Sequence, residues 1–423
     1  MPGYIEDRWW TKKPDPATGK KRKTARYGQG KRYRVAGIPG VRDRSFEKLG
    51  GPDGAQAWLA RAQSESARGE FVDPRHGRIL FREYVEDYWW PGQRADVATL
   101  KVVRSRVWNH LLPHLGELPL NQIKVPQLRQ LITTLEPVLG ARTLHVVWGT
   151  LSSILHAAVE DERLHKNYCK SRTIRLPPLP EKKARAWSHD QVQRVREAMP
   201  PQYRTMVDIG VAAGLRIGEV FGLSVEDVDP SGPWLHVRRQ VKKVGSKMCF
   251  ALPKGGKTRT VPIPHELLSR IERHMAEYPP GDVTLPWGDP NEPTTDKERK
   301  DRAPRTHKLL FRGREGGPLR VEGFNQLYWK PALHAAGLIP APEAVYGGRQ
   351  VRWKYAEARE HGFHALRHTA ASVWLHTREN PVAVSSWLGH ADASITLQIY
   401  AHMIPEADGR GRAAMGAWLE GRS

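Results

Sequence analysis

Cysteine is scarce in this chain: Cys169 and Cys249 are the only two in 423 residues. A disulfide framework and a four-cysteine zinc site are therefore excluded. Long apolar runs are missing as well, and none approaches the ~18 residues needed to span a bilayer. The opening MPGYIEDRWW holds no stretch that would serve as a signal peptide, so a cytoplasmic location with no membrane partner is expected. No G-x-x-x-x-G-K-[ST] loop is present to cradle a nucleotide phosphate. Acidic residues are outnumbered, 45 Asp+Glu against 67 Lys+Arg, which leaves a formal charge of +22. That imbalance favours a polyanionic partner, because each cation placed beside a phosphate releases condensed counterions.

What is present is enough for packed cores. Hydrophobic residues make up 39% of the chain, so it is not a basic disordered tail. At roughly 100–200 residues per domain, the length predicts two or three domains. The first, residues 1–72, is basic, with aromatics between the charges and many turn formers. Tyr33-Arg34-Val35 and Ser45-Phe46 read as short strands, and AQAWLARAQSESARGE as a helix with Ala57, Leu59, Ala60 and Ala67 among its apolar positions. A small basic sheet with one helix fits a DNA-reading module; the alternative is a solvated basic arm.

Residues 76–170 read as four amphipathic helices without strands. Leu100, Val103, Val107 and Leu111 recur at three- to four-residue spacing, and the proline of VPQLRQLITTLEP suits a first helical turn. Lys101, Arg104 and Arg142 are candidates for its DNA side. The segment 171–186 reads as a linker, held extended by Pro177, Pro178 and Pro180. Residues 187–423 form the larger domain, opening on an S-x-x-Q capping box at Ser188 and Gln191. Two stretches rich in Pro, Gly and charge, 279–307 and 340–358, read as surface insertions within it. The whole is expected to be mainly α with small β-sheets.

Four motifs in the larger domain carry chemistry-bearing side chains. In AAGLRIGEVFGL, Gly214 ends a helix, while Arg216 and Glu219 are neighbours on one face of the next. In PKGGKTRTVPIP, Gly255-Gly256 marks a tight turn between strands, expected to display Lys254 and Lys257 at a hairpin tip. Such lysines either reach into a DNA groove or are solvated edge charges. GFHALRHTAASVWL places His364, Arg367 and His368 on a helix. His364 and His368 have half-zinc-site spacing, but the glutamate of H-E-x-x-H is missing and no third ligand is evident. SSWLGHADASITLQIYAH places His390 after a Leu-Gly helix stop, with Tyr400 ten residues on.

In this order, GLRIGE, a basic hairpin, H-x-x-R, L-G-H and a late tyrosine, the chain resembles the tyrosine recombinases, the phage integrases and their relatives. The resemblance is strongest from Ser188 to His402. It implies a multidomain architecture: an arm-type DNA-binding module, a helical core-binding domain and a mixed α/β catalytic domain. It implies that Tyr400 attacks a scissile DNA phosphate, leaving a 3′-phosphotyrosine and a free 5′-hydroxyl. Arg216 and Arg367 would hold the non-bridging oxygens, a role suited to the planar, always charged guanidinium. His390 would donate a further hydrogen bond, and His364 would assist removal of the tyrosine proton. Lys254 would protonate the leaving 5′-oxygen; it stands eight residues before Pro262, the family's usual spacing. Glu219 occupies the place of an acidic residue that orients the site. No metal and no cofactor are expected, since the cations would supply the charge and the phosphotyrosine would conserve the bond energy.

The implied partners are double-stranded DNA attachment sites, further copies of the chain in a homotetramer on DNA, a directionality factor and a DNA-bending protein. Two departures stand out. Arg216 and His364 are 148 positions apart, longer than in compact relatives, and His390 and Tyr400 are ten apart where many members have nine. Two other functions compete: a type IB topoisomerase, which shares this chemistry, and a DNA-binding regulator that has lost cleavage. The presumed N-terminal module and the L-G-H motif count against the first. The full set of six catalytic matches counts against the second.

Overall fold

The computed structural model describes residues 3–16, 18–38, 41–67, 76–179, 185–229, 231–347, 350–356, 359–401 and 409–421. The chain divides into two compact units, Met1–Pro180 and Glu181–Ser423. Part of the segment read as a linker, residues 180–184, lies outside the described residues.

The first unit opens with a three-stranded antiparallel sheet, β1 (Tyr4–Asp7), β2 (Tyr33–Ala36) and β3 (Arg44–Phe46), in the order β1-β2-β3. Helix α1 (Ala55–Ala67) closes it. Val35, Ile38, Phe46, Ala55 and Ala62 form its small core. The buried side of α1 is therefore Ala55 and Ala62 with Trp58 and Leu59 beside them, whereas Ala57 and Ala60 face solvent, contrary to the apolar face expected from the sequence. Alanine is a weak marker of a buried face because its methyl loses little by exposure. Outside the core, cations stack on aromatic rings, as Lys23 does over Tyr27 at 4.1 Å and Arg32 over Tyr33 at 4.9 Å.

The helical part of this unit has a core of its own. Helix α2 (Phe81–Tyr84) runs on through a π-helical turn, Val85–Trp89; α3 (Val97–Arg106) runs on through a second, Val107–Leu111, into Leu112–Leu115. Helices α4 (Val125–Leu135) and α5 (Ala141–Glu160) complete the set. Leu128, Leu131, Leu144, Leu151, Ile154 and Leu155 bury the stripe that the 3.6-residue period lays down. Ile174 and Leu176 pack against this core, and His145 Nε2 lies 2.9 Å from the Pro177 carbonyl. The first half of the expected linker is thus docked on the helices.

In the second unit, α6 (His189–Ala198) starts at the capping box, where Ser188 Oγ accepts from the Gln191 backbone N–H at 3.2 Å. Helices α7 (Pro201–Ala212) and α8 (Ile217–Phe221) follow. The strands then form separate small sheets. β4 (Val228–Asp229), β5 (Trp234–Val237) and β8 (Arg259–Pro262) make one, and β6 (Gln240–Val244) with β7 (Lys247–Ala251) another. Strands β7 and β8 do not pair, so Gly255-Gly256 is a crossing between two sheets and not the tip of a hairpin. The hairpin turn lies earlier, at Gly245-Ser246, where Val244 faces Lys247.

After α9 (His265–Glu277), strands β9 (Gly281–Leu285) and β10 (Arg305–Leu309) pair across α10 (Asp296–Asp301). The stretch 279–307 is therefore more than a surface insertion. Val283 on β9 and Leu309 at the end of β10 are buried in the main core, and Leu310 N–H donates to the Leu223 carbonyl at 2.9 Å. Its core-facing residues alternate with Asp282 and Thr284, and this period of two is diluted by the proline and charge around it. Helix α11 (Val321–Phe324) continues through Asn325–Trp329 into Lys330–Ala335, and β11 (Glu343–Gly347) pairs with β12 (Gln350–Lys354). That second hairpin is largely exposed, Tyr346 at 83%. Last come α12 (His364–His376), α13 (Pro381–Leu388), α14 (Ala393–Tyr400) and α15 (Arg410–Leu419). The unit is mostly helical with small sheets, and none of the described helices is long and apolar enough to cross a membrane.

Candidate active site

The site grows from two glycine turns. Helix α7 stops at Gly214, whose φ of +63° is a left-handed conformation that glycine adopts freely. A Cβ there would also stand 3.0 Å from Leu388. The turn frees the Gly214 carbonyl and sets Arg216 at the N-cap of α8. Glu219 sits at the third helical position, and its carboxylate accepts from the Arg216 backbone N–H at 2.9 Å. The second turn is Gly389, φ +65°, which ends α13.

Helix ends leave their last carbonyls without helical partners and carry partial negative charge. Here three successive carbonyls at the end of α13 each take a different arginine. Arg259 Nε donates to Trp387 O at 2.6 Å, Arg367 Nη2 to Leu388 O at 2.5 Å and Arg216 Nη2 to Gly389 O at 3.3 Å. Arg367 Nη1 also donates to Gly214 O at 2.8 Å, tying both turns together. Arg367 is fully buried, and its Nε has no hydrogen-bond partner among the described residues.

One carboxylate balances these cations. Glu219, 0% exposed, accepts from Arg216 Nη1 at 2.9 Å and from both terminal nitrogens of Arg259 at 2.9 and 2.6 Å. Burial alone would raise its pKa, but the hydrogen bonds and charge of Arg259, with Arg216, hold it below the usual carboxylate range. Burial and the charge of Arg216 lower Arg367 to about 9, which leaves it cationic at neutral pH.

Two histidines and the tyrosine line the same cluster. His390 Nδ1 lies 2.8 Å from the buried Thr396 hydroxyl, fixing its ring. Burial, then the charges of Arg367, Arg216 and Arg259, push His390 down to about 4. His364 reaches the surface, yet it too is pushed down to about 4, first by the protein around it and then by the charges of His368, Arg367, Arg216 and His390. Tyr400 is buried, which raises its hydroxyl to about 12; the charges of Arg367 and Arg216 offset part of that rise. The Tyr400 hydroxyl lies 2.6 Å from His368 Nδ1.

Arg216, Glu219, His364, Arg367, His390 and Tyr400 are thus brought into one cluster. Lys254 and Lys257 are exposed on the crossing between β7 and β8, and no described hydrogen bond or ion pair ties either to it. Lys101, Arg104 and Arg142 lie in the other unit, all exposed, with Arg104 over the Trp108 ring at 5.1 Å. Sequence reasoning passed over two residues of the cluster. Arg259 stands in plain view within PKGGKTRT, but nothing local signals a carboxylate 40 positions away. In the sequence, His368 offers only half of a zinc site. Its Nδ1 instead meets Tyr400, and among the described residues no three His, Cys, Asp or Glu gather as metal ligands.

A profile of the phage integrase family matches residues 185–406, just over half of the chain and the span that holds this whole cluster. The chain belongs to the phage integrase family, the tyrosine recombinases. Among its relatives is a "Tyrosine recombinase XerC-like" protein of Caldanaerobacter subterraneus subsp. tengcongensis, 26% identical over 283 residues, 63% of this chain. Another is the "ICEBs1 integrase" of Bacillus subtilis, 21% identical over 277 residues, 64% of this chain. Both alignments span 64% of the relative's own length. In fold, the chain is similar to the Tn1549 transposon integrase in complex with transposon right end DNA. That likeness has a TM-score of 0.58 at 18% identity and covers 79% of this chain and 97% of that one. It is also similar to a lambda integrase tetramer bound to a Holliday junction, with a TM-score of 0.51 at 15% identity and 96% and 97% coverage.

Proposed function

We propose that this integrase is a site-specific DNA recombinase that cuts and rejoins DNA through a 3′-phosphotyrosine, integrating or excising a phage or another mobile element. The observation that carries the reading is the convergence, within one chain, of the buried Tyr400 hydroxyl with Arg216, Arg367 and His390. Phosphoryl transfer asks a protein mainly for positioning and charge stabilisation. The partnerless Arg367 Nε and the remaining Arg216 donors would bind the non-bridging oxygens of the scissile phosphate, with His390 donating beside them. Glu219 and Arg259 would keep the guanidiniums in place, and Lys254 would protonate the leaving 5′-oxygen once DNA draws its turn over the site.

Because Tyr400 shares its cluster with the arginines of the same chain, each subunit would cleave with its own tyrosine. The likeness to a transposon integrase and the relative named ICEBs1 integrase support a mobile-element role, and the lambda integrase tetramer supports assembly of four copies on DNA. The N-terminal sheet, with its stacked cations, would read a second DNA site in a bacterial cytoplasm. Lys101, Arg104, Arg142 and Lys257 would contact phosphates, and a directionality factor and a bending protein would choose between integration and excision.

The test is covalent trapping on nicked suicide duplexes, in which the released fragment diffuses away. The wild-type chain is expected to accumulate a protein–DNA adduct, and Tyr400→Phe to bind the duplex equally well without forming one. An adduct that persists in Tyr400→Phe would remove Tyr400 from the reaction; no adduct with any wild-type preparation would favour a regulator.

A further inference from the structure

The family resemblance implies that His364 takes the tyrosine proton, but the structure puts a different imidazole on Tyr400. His368 Nδ1 is 2.6 Å from the Tyr400 hydroxyl, the rings 5.6 Å apart, while His364 lies edge to face against the His368 ring at 4.8 Å and has no described hydrogen bond to Tyr400. We propose that His368 is a catalytic residue of this integrase, the base that takes the Tyr400 proton during cleavage and returns it during rejoining. This rests on the recombinase reading above.

Three features of the geometry support a working base over an incidental contact. First, α12 fixes both the phosphate-binding and the proton-accepting group, since Arg367 and His368 are successive residues on it. Arg367 is anchored to two carbonyls, so the imidazole beside it inherits that position. Second, the His368 backbone carbonyl accepts from Ser372 Oγ at 2.7 Å, a bond that holds this turn of the helix. Third, the Tyr400 hydroxyl is buried and cannot shed its proton directly into bulk water. A general base must come within hydrogen-bond reach, about 2.6–3.2 Å between heavy atoms, of the group whose proton it takes, and His368 meets this, whereas no described hydrogen bond joins His364 to Tyr400.

With Nδ1 unprotonated, the Tyr400 hydroxyl donates to it. As Oη bonds to phosphorus, its proton passes to Nδ1; the bond from phosphorus to the 5′-oxygen breaks, and that oxygen takes a proton from Lys254. In rejoining, the 5′-hydroxyl gives its proton back to Lys254 and attacks phosphorus, and Tyr400 leaves with the proton held on His368. Among the described residues, His364 lies edge to face against the imidazole and Tyr400 on α14 meets its Nδ1, while His390, from the turn after α13, feels its charge, and both other histidines feel Arg367 and Arg216.

The experiment uses the full chain and a nicked duplex built on the core sequence that it selects from a random-sequence pool. Single-turnover adduct formation is followed from acid to alkaline pH for wild type, His368→Ala, His368→Asn and His364→Asn. Asparagine keeps a hydrogen-bonding oxygen near the place of Nδ1 but cannot carry the proton. The base role predicts that both His368 variants bind the duplex normally and form adduct about 100-fold or more slowly, the scale of general-base catalysis. It also predicts an acid limb in the wild-type profile that persists in His364→Asn and disappears in His368→Asn. Wild-type rates in His368→Asn would overturn the proposal in favour of simple positioning. Faster cleavage in His368→Ala would overturn it in favour of a latch that holds Tyr400 back. Failure of the wild type itself to form an adduct would instead fall on the recombinase reading.

Discussion

Glu219 is the residue on which the arginine cluster depends most, so Glu219→Gln should be severe although it changes almost no volume. The wild-type carboxylate is fully buried and satisfies two guanidiniums, Arg259 bidentately and Arg216 through one Nη, besides the Arg216 backbone N–H. Glutamine replaces one oxygen by an amide NH2 that faces a guanidinium, donor against donor, and leaves the positive charges without a counter-ion. Breaking a buried ion pair in this way costs about 3–5 kcal/mol. For a unit of this size, each kcal/mol moves the melting temperature by about 2–4 °C, so a fall on the order of 10 °C is expected. Calorimetry of the full chain reads the shift, with Leu151→Ala in the helical unit marking which transition belongs to which unit.

The pH dependence has a definite sign. The folded-state carboxyl lies below its ordinary 4.5, so its contribution is complete above that value and is lost as pH falls through the lower folded one. Glu219→Gln should therefore lose the part of the acid-side slope that this group supplies. A fall under about 1 kcal/mol at pH 7, the level of an exposed pair, would refute the argument that the cluster is a desolvated one.

Other perturbations separate the remaining parts. Gly214→Ala should cost about 1–2 kcal/mol in backbone strain alone and more through the approach to Leu388, read by the same calorimetry; a neutral effect would remove the turn from the account. Lys254→Ala should slow cleavage far more than Lys257→Ala, and a bridging 5′-phosphorothiolate, whose sulfur leaves without a proton, should rescue it; rescue of Lys257→Ala instead would move the general acid. Trp418 on α15 is 63% exposed. Trp418→Ala should weaken assembly of four copies on DNA while single-site binding persists; equal loss of both in a gel-shift titration would contradict a partner-docking role.

The sequence was most readable where a side chain's role is set by local geometry. Arg216 and Glu219 are three positions apart and meet in a capping arrangement, and the Gly389 stop places His390 directly after α13. It was least readable where partners are distant. Strand β1 is four residues of mixed polarity whose partner lies some thirty positions on, so periodicity alone does not reveal it. The Gly255-Gly256 turn has the local chemistry of a hairpin, but β8 finds its partner in β5 and leaves β7 to β6. His364 and His368 share a helical face, which suggests a shared metal; only the return of α14 shows that the second ring belongs to Tyr400.

The central claim is that Tyr400 becomes covalently joined to DNA, and mass spectrometry of the trapped complex addresses it directly. After nuclease trimming and trypsin digestion, a residual nucleotide should remain on the peptide Glu379–Arg410, whose only tyrosine is Tyr400, linked through a 3′-phosphate. The released strand should carry a free 5′-hydroxyl. An adduct on any other peptide, or a 5′-phosphate linkage, would contradict the account.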